Sequence, residues 1–286
     1  MPSSPPSATP PKLSQTYENV ESSNHMSGTI LSSIEHAAGT LTIHNPERRN
    51  SMSLQMWTQA ADALDSFAND PDIRVVVLTG AGTKAFASGA DISEFEKVRA
   101  DARAAAEYDV ALDRFWDTLS NLAKPTIAKI RGYCIGGGVN IAACCDLRIC
   151  TEASRFAVPA AKLGLGYGTA TVRRLMHLVG PQFASEILLT ARQFTATEAH
   201  HMHLVNHVVA DAEIDAYVAS LVSTIAQNAP LTMNAAKRAI HELLKDPAHQ
   251  DLAACDALVT QCFDSEDYQE GRRAFLEKRK PEFNGR

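Results

Sequence analysis

The chain has 286 residues, 45% hydrophobic content and a formal charge of -6. That length and apolar share suit one sizeable core, or a core with a small appendage. The acidic balance and scattered Lys and Arg argue against the basic face of a nucleic-acid binder, and no apolar run reaches the ~18 residues of a membrane span.

Residues 1–27 are rich in Ser and Pro and poor in apolar side chains, the composition of a disordered extension. They lack the charged-then-apolar order of a signal peptide, so the cytoplasm is the expected location. Two short strands around a turn are predicted at 30–34 and 39–43, after which Asn45-Pro46 breaks the chain. Ser53 is a candidate N-cap for a helix to about residue 68, with Leu54, Trp57, Ala61 and Leu64 on one face. Residues 73–79, I-R-V-V-V-L-T, have the β-branched run of a strand buried on both faces. A glycine-rich loop at 80–89 and a helical stretch at about 99–122 follow.

Residues 125–130 read as another buried strand. It leads through Gly132 to Gly136-Gly137-Gly138 and an apolar helix at 139–145. Residues 146–150 read as the next strand, and this alternation indicates an α/β architecture. Helix is predicted from Pro181, at 182–190 and 196–201, then a strand at 204–209. The tail from 212 to 280 reads as nearly all helix. Ile214, Val218, Leu221 and Ile225, then Ala236, Ile240 and Leu243, recur at helical spacing. Those faces are expected to pack on the core or on a neighbouring subunit.

Six cysteines, at 134, 144, 145, 150, 255 and 262, form no C-x-x-C pair and read as buried thiols of a reducing compartment. Histidines at 200, 201, 203 and 207 invite a metal site. The last two straddle a change from helix to strand, and no Cys or carboxylate completes a set, so no metal is expected.

Two glycine segments carry the chemistry. Three glycines before an apolar helix let backbone approach a ligand, and the first helical N–H groups have no internal acceptor. They suit an oxygen anion, although tight helix–strand packing also accounts for such a triplet. It is neither a phosphate loop, since no Lys-Ser or Lys-Thr follows, nor a dinucleotide fingerprint. The second segment, Ala85 to Ile92, also ends in small residues after a strand and its loop. Two such segments can aim two N–H donors at one point, as an oxyanion hole requires.

The motifs N-P-E-R-R-N-S-M-S (45–53), V-V-V-L-T-G-A-G (75–82), K-A-F-A-S-G-A-D-I-S-E (84–94) and K-P-T-I-A (124–128) occur in order. They are followed by G-Y-C-I-G-G-G-V-N-I-A-A-C-C-D-L-R-I (132–149), F-T-A-T-E-A (194–199) and E-G-R-R-A-F-L-E-K-R-K-P-E-F (270–283). Together they make the chain resemble the crotonase, or enoyl-CoA hydratase/isomerase, superfamily. The resemblance implies an α/β fold: a crotonase-like spiral of ββα units over 28–211 and an α-helical region over 212–286, assembled as a homotrimer or a dimer of trimers. It implies an acyl-CoA thioester as substrate, with coenzyme A part of the substrate and no prosthetic group. The N–H groups of Ala90 and Gly137 would hold the thioester oxygen. Lys84, Ala87, Asp91, Ile92 and Lys278 become candidate coenzyme A contacts, Lys278 across a subunit boundary.

The departures bear on the reaction. Family hydratases carry a glutamate two residues after the glycine triplet, where this chain has Asn140, and another after the next proline, where it has Ala160. Hydration needs a base to activate water and an acid to protonate C2, and neither side chain serves. The stretch 162–168 holds no acid but does hold Tyr167. The family's methylmalonyl-CoA decarboxylases carry a tyrosine in a similar L-G-x-x-Y setting. Loss of carbon dioxide needs no strong base, and a phenol can orient the carboxylate. A pocket-lining Tyr167 without chemical duty is the plainer alternative. Asp91, Glu94, Glu96, Glu107, Tyr108 and Asp109 are the other acid–base candidates, or else members of solvated faces. The expectation is therefore an atypical lyase, isomerase or decarboxylase. A non-catalytic acyl-CoA binder, and a hydratase using other acid–base residues, remain as alternatives.

Overall fold

The computed structural model describes residues 28–91 and 101–286. Ile92, Glu94 and Glu96 therefore lie outside the described residues.

Strands β1 (Thr29–Glu35) and β2 (Ala38–His44) form an antiparallel hairpin, and β2 runs parallel to β3 (Val75–Gly80). Parallel pairing continues through β5 (Thr126–Ile130), β7 (Leu147–Thr151) and β10 (His207–Val209), giving a six-stranded sheet in the order β1-β2-β3-β5-β7-β10. A second sheet, in the order β4-β6-β8-β9, is built from β4 (Ala85–Ala87), β6 (Tyr133–Ile135), β8 (Arg155–Ala157) and β9 (Phe194–Thr195). The chain alternates between the sheets. Three successive turns each give one strand to each sheet and then a helix: α2 (Ala102–Asn121), α3 (Gly137–Cys144) and α4 (Thr169–Thr190). This is the spiral of ββα units expected from the motifs.

The β-branched run at β3 is buried on both faces. Val76 and Leu78 join the main core, with Met56, Trp57, Leu64 and Phe86. Val75 and Val77 point the other way, onto a smaller core with Ile127, Ile149, Ile214, Val218 and Val222. The period-two alternation of a strand produces this division. Beyond the short α5 (Ala196–His201), helix α6 (Ile214–Ala226) supplies the cover on that second face. Helix α1 (Leu54–Asn69) starts where Ser53 Oγ accepts from the Met56 N–H at 3.3 Å, the expected N-cap. Its Trp57 meets Phe115 of α2 with ring centroids 5.0 Å apart.

Several expectations need correction. The small-sheet strands β4, β6 and β8 hold three residues each, too few for periodicity to register, so the segment 80–89 read as a loop throughout. Helix α4 begins at Thr169, ahead of the predicted start, and is interrupted at Gly180, whose φ is 72°. Only Leu175 and Val179 of its first half are buried, leaving little periodic signal there. The face carrying Ile240 and Leu243 on α7 (Pro230–Leu243) is open in the single chain, at 60% and 64% exposure. The buried side chains of α7 are instead Ala235, Lys237 and Glu242. Lys237 reaches Asp146 at 2.8 Å, so this helix docks partly through an ion pair. Helices α8 (Leu252–Asp264) and α9 (Glu266–Glu277) complete the helical tail. No helix among the described residues is long and apolar enough to cross a membrane.

Candidate functional site

Strands β4, β6 and β8 are parallel neighbours, so the chain leaves all three at the same edge of the small sheet. Edges of that kind, at the carboxyl ends of parallel strands, are where α/β folds gather ligand-binding loops. Here they gather Gly89-Ala90 after β4, Gly136-Gly137 after β6, and Pro159-Ala160 after β8.

Ala90 forms a parallel bridge with Met52. The Met52 N–H donates to the Gly89 carbonyl at 2.8 Å, and the Asp91 N–H donates to the Met52 carbonyl at 2.9 Å. In such a bridge the central residue's own N–H and C=O face away from the partner. The Ala90 N–H is thus turned from Met52. Helix α3 starts at Gly137, so the Gly137 N–H has no intrahelical acceptor. Among the described residues neither N–H has a carbonyl partner.

The two segments touch. A Cβ placed on Gly137 would lie 2.9 Å from the Gly89 Cα and 3.6 Å from the Ala90 nitrogen. A Cβ on Gly138 would overlap the Ala87 carbonyl oxygen. Gly136 adopts φ 55°, ψ -114°, a conformation side chains rarely take. The triplet therefore fits both purposes read from the sequence: close helix–strand packing, and a donor at the positive end of α3 close to the Ala90 nitrogen. Such a pair, fixed before any substrate arrives, can hold an oxygen on which charge develops.

Asn140 lies one turn into α3. Its side chain lies beside the phenol of Tyr167, which donates to the Gly136 carbonyl at 3.5 Å. Asn140 and Tyr167 thus sit together beside the donor pair. Burial pushes the Tyr167 phenol up to about 12, against a smaller opposing effect of the nearby Asn140 side chain. It stays protonated near neutral pH and can give a hydrogen bond but not act as a base. Because the ordinary phenol value is 10.0, stability involving Tyr167 is complete below that pH and falls as pH rises towards 12. Unfolding curves of the wild type and Tyr167→Phe should therefore run parallel below pH ~10 and converge above it; parallel curves throughout would contradict the buried, neutral phenol.

Ala160 is buried in a 3-10 turn, Pro159–Leu163, and brings no acid. The Asp91 carboxylate is taken up by Arg48, Nη1 to Oδ2 at 2.7 Å. Glu107 pairs with Arg103 on an exposed face, and Asp109 is exposed. Tyr108, in contrast with a solvated helix face, is buried in the main core. Lys84 is exposed at the entrance to β4, and Ala87 is buried at its end. Lys278 is exposed at the left-handed C-cap of α9. In the same basic cluster Arg279 is tied to Glu270 and Glu277. His201 packs against Phe183 and His207 against Tyr217.

One residue that holds the site was read only as part of a motif. Asn50 is buried with φ 55°. Its Oδ1 accepts from the Asn45 N–H at 3.0 Å, and its Nδ2 donates to the carbonyls of Ala81 at 3.1 Å and Ala85 at 2.6 Å. It thereby pins the loop before β4, the strand that delivers Ala90. Asparagine tolerates the left-handed conformation better than most residues, which is the signal available in N-P-E-R-R-N-S. Asn50→Ala leaves these buried groups unpaired and is expected to cost about 3 kcal/mol in chemical denaturation; a loss below about 1 kcal/mol would show that the loop is held by other means.

The family model described as enoyl-CoA hydratase/isomerase matches residues 33–286. The chain is 32% identical over 248 residues to a short-chain-enoyl-CoA hydratase of Clostridium acetobutylicum, covering 87% of this chain and 94% of that one. It is 34% identical over 246 residues to the 2,3-dehydroadipyl-CoA hydratase of Escherichia coli, covering 86% and 94%. Among solved structures, an enoyl-CoA hydratase/carnithine racemase from Magnetospirillum magneticum superposes with a TM-score of 0.83 at 39% identity, covering 90% of this chain and 96% of that one.

Proposed function

The chain belongs to the enoyl-CoA hydratase/isomerase family and is an acyl-CoA enzyme of that family; from that premise we propose that its reaction passes through a thioester enolate. The observation that carries this reading is the contact between the Gly89-Ala90 and Gly136-Gly137 segments, each with a backbone N–H that has no carbonyl partner among the described residues. Two fixed donors near one point stabilise the oxygen more as it gains charge than in the ground state, which is the condition for lowering a barrier.

The neighbouring side chains favour a step that asks no base of the enzyme. Asn140, Ala160 and a neutral Tyr167 supply hydrogen bonds and space, with no carboxylate among them. Loss of carbon dioxide from a 2-carboxyacyl thioester meets that description. The bond between C2 and the carboxylate breaks, its electron pair moves onto the thioester as the enolate, and water returns a proton to C2. Tyr167 and Asn140 orient the departing carboxylate, each bond to that charged group contributing about 1.5–3 kcal/mol. Crotonyl-, 3-enoyl-, dienoyl- and methylmalonyl-CoA offered to the purified protein, with products read by mass spectrometry, test the assignment. Conversion of methylmalonyl-CoA that falls in Tyr167→Phe is the expected outcome. Rapid hydration of crotonyl-CoA by the wild type would overturn it.

The same absent carboxylates favour a second reading, a non-catalytic acyl-CoA binder. Calorimetric binding with no turnover of any member of the panel would establish it. Assembly of the chain as a trimer or dimer of trimers is part of the proposal.

A further inference from the structure

A cavity of about 420 Å³ lies away from the donor pair, between the C-terminal ends of α2 and α3, the first turns of α4 and the later turns of α7. Its α3 lining comes from residues 143–145, six or more positions beyond Gly137, which a helical rise of 1.5 Å per residue turns into roughly 10 Å. Nothing in the proposed reaction uses it.

Its charge is unevenly settled. Asp146 is neutralised by Lys237 at 2.8 Å. Glu242 is held by Arg238 at 2.8 Å and Lys245 at 2.7 Å, so one carboxylate there faces two cations. The Arg148 guanidinium is occupied by the carbonyls of Cys145 and Leu204. Arg173 has no ion-pair partner among the described residues. Arg174 rests on the Trp116 ring and the Ser120 hydroxyl, with no carboxylate partner among the described residues. Arg238 also lines the cavity, with Nη2 on Glu242 at 2.8 Å. Guanidinium groups gathered on one wall favour an oxyanion, and hydrogen bonds to a charged group are stronger than neutral ones.

The rest of the wall is mixed: Leu122, Leu178, Ile240 and Leu244 form an apolar part, and Asn121, His177, Asn234 and His241 add polar groups. Ile240 and Leu244 are 60% and 45% exposed. The size falls in the range of small-molecule sites, and the cationic, largely polar lining with one apolar part suits a charged ligand with a short apolar body. Planar guanidinium groups match carboxylate and phosphate oxygens better than a bare ammonium does.

We propose that this cavity binds a small organic anion, a phosphate or carboxylate on a short apolar body, through Arg173, Arg174 and Arg238. The site is distinct from the acyl-CoA edge of the small sheet and stands or falls independently of the reaction proposed there.

Isothermal calorimetry with inorganic phosphate and with hexanoate as probes, each with and without saturating coenzyme A, tests the site. At least one probe should bind in the millimolar range or tighter, and binding should persist with coenzyme A present. Preference for phosphate identifies a phosphate-bearing ligand, and preference for hexanoate a carboxylate with an apolar tail. Arg173→Glu, at an exposed residue without an ion-pair partner among the described ones, should keep the wild-type melting temperature and weaken the probe at least roughly tenfold. Arg238→Met should weaken it as well, while Lys245 continues to hold Glu242. Absence of binding by both probes would overturn the proposal. So would displacement by coenzyme A, or affinity indifferent to both substitutions.

Discussion

Gly137→Pro is expected to lower turnover of the acyl-CoA substrate by about a hundred- to a thousandfold, the usual effect of deleting one oxyanion donor. Proline carries no N–H, and the first helical position is the one it tolerates best. Helix α3 should therefore survive, since the Gly137 N–H makes no intrahelical bond to lose. The substitution also adds a Cβ that would lie 2.9 Å from the Gly89 Cα, so the segments must part slightly. Gly137→Ala adds the same Cβ and keeps the donor. The proline variant should fall well below the alanine variant in kcat, with coenzyme A affinity alike in both. Equal rates would mean that packing, and not the N–H, matters at this position.

The second large effect concerns hydration. Each general acid or base contributes roughly a hundred- to ten-thousandfold to a rate. The wild type should therefore hydrate crotonyl-CoA very slowly, and Asn140→Glu combined with Ala160→Glu should raise that rate by at least about a hundredfold. A carboxylate at 140 would sit in the first turn of α3, where the helix end favours negative charge, beside a phenol able to donate to it. The Ala160 position is buried, so Ala160→Glu carries a desolvation cost, and the single variant Asn140→Glu should fold more stably than the pair. Progress curves of the enoyl absorbance read all three proteins. Fast hydration by the wild type, unchanged in Asn140→Ala, would show that another group supplies the proton chemistry.

The elements that position the site differed in how far the sequence exposed them. The strand at β3 was plain because an unbroken β-branched run of that length suits a strand buried on both faces and little else. The Ser53 cap and the apolar face of α1 followed from local rules in the same way. The donor pair was legible through its glycines, since Gly136 needs its positive φ and Gly138 leaves no room for a side chain against Ala87. The small sheet was not legible, because three-residue strands carry no period, yet its parallel order is what brings Ala90, Gly137 and Ala160 to one edge. Nor was the meeting of Asn140 with Tyr167, which depends on where the turn after Pro159 releases the chain. Asn50 escaped notice for a related reason: its importance lies in bonds to Ala81 and Ala85, some thirty residues on. The cavity behind α3 draws on α2, α4 and α7, and no local pattern could have assembled it.

Methylmalonyl-CoA incubated with the protein in deuterium oxide, with the acyl product weighed by mass spectrometry, tests the enolate most directly. The account predicts propionyl-CoA carrying one deuterium at C2, formed by the wild type and by Gly137→Ala but strongly diminished in Gly137→Pro. Unchanged methylmalonyl-CoA alongside rapid conversion of crotonyl-CoA to its 3-hydroxy product would contradict it.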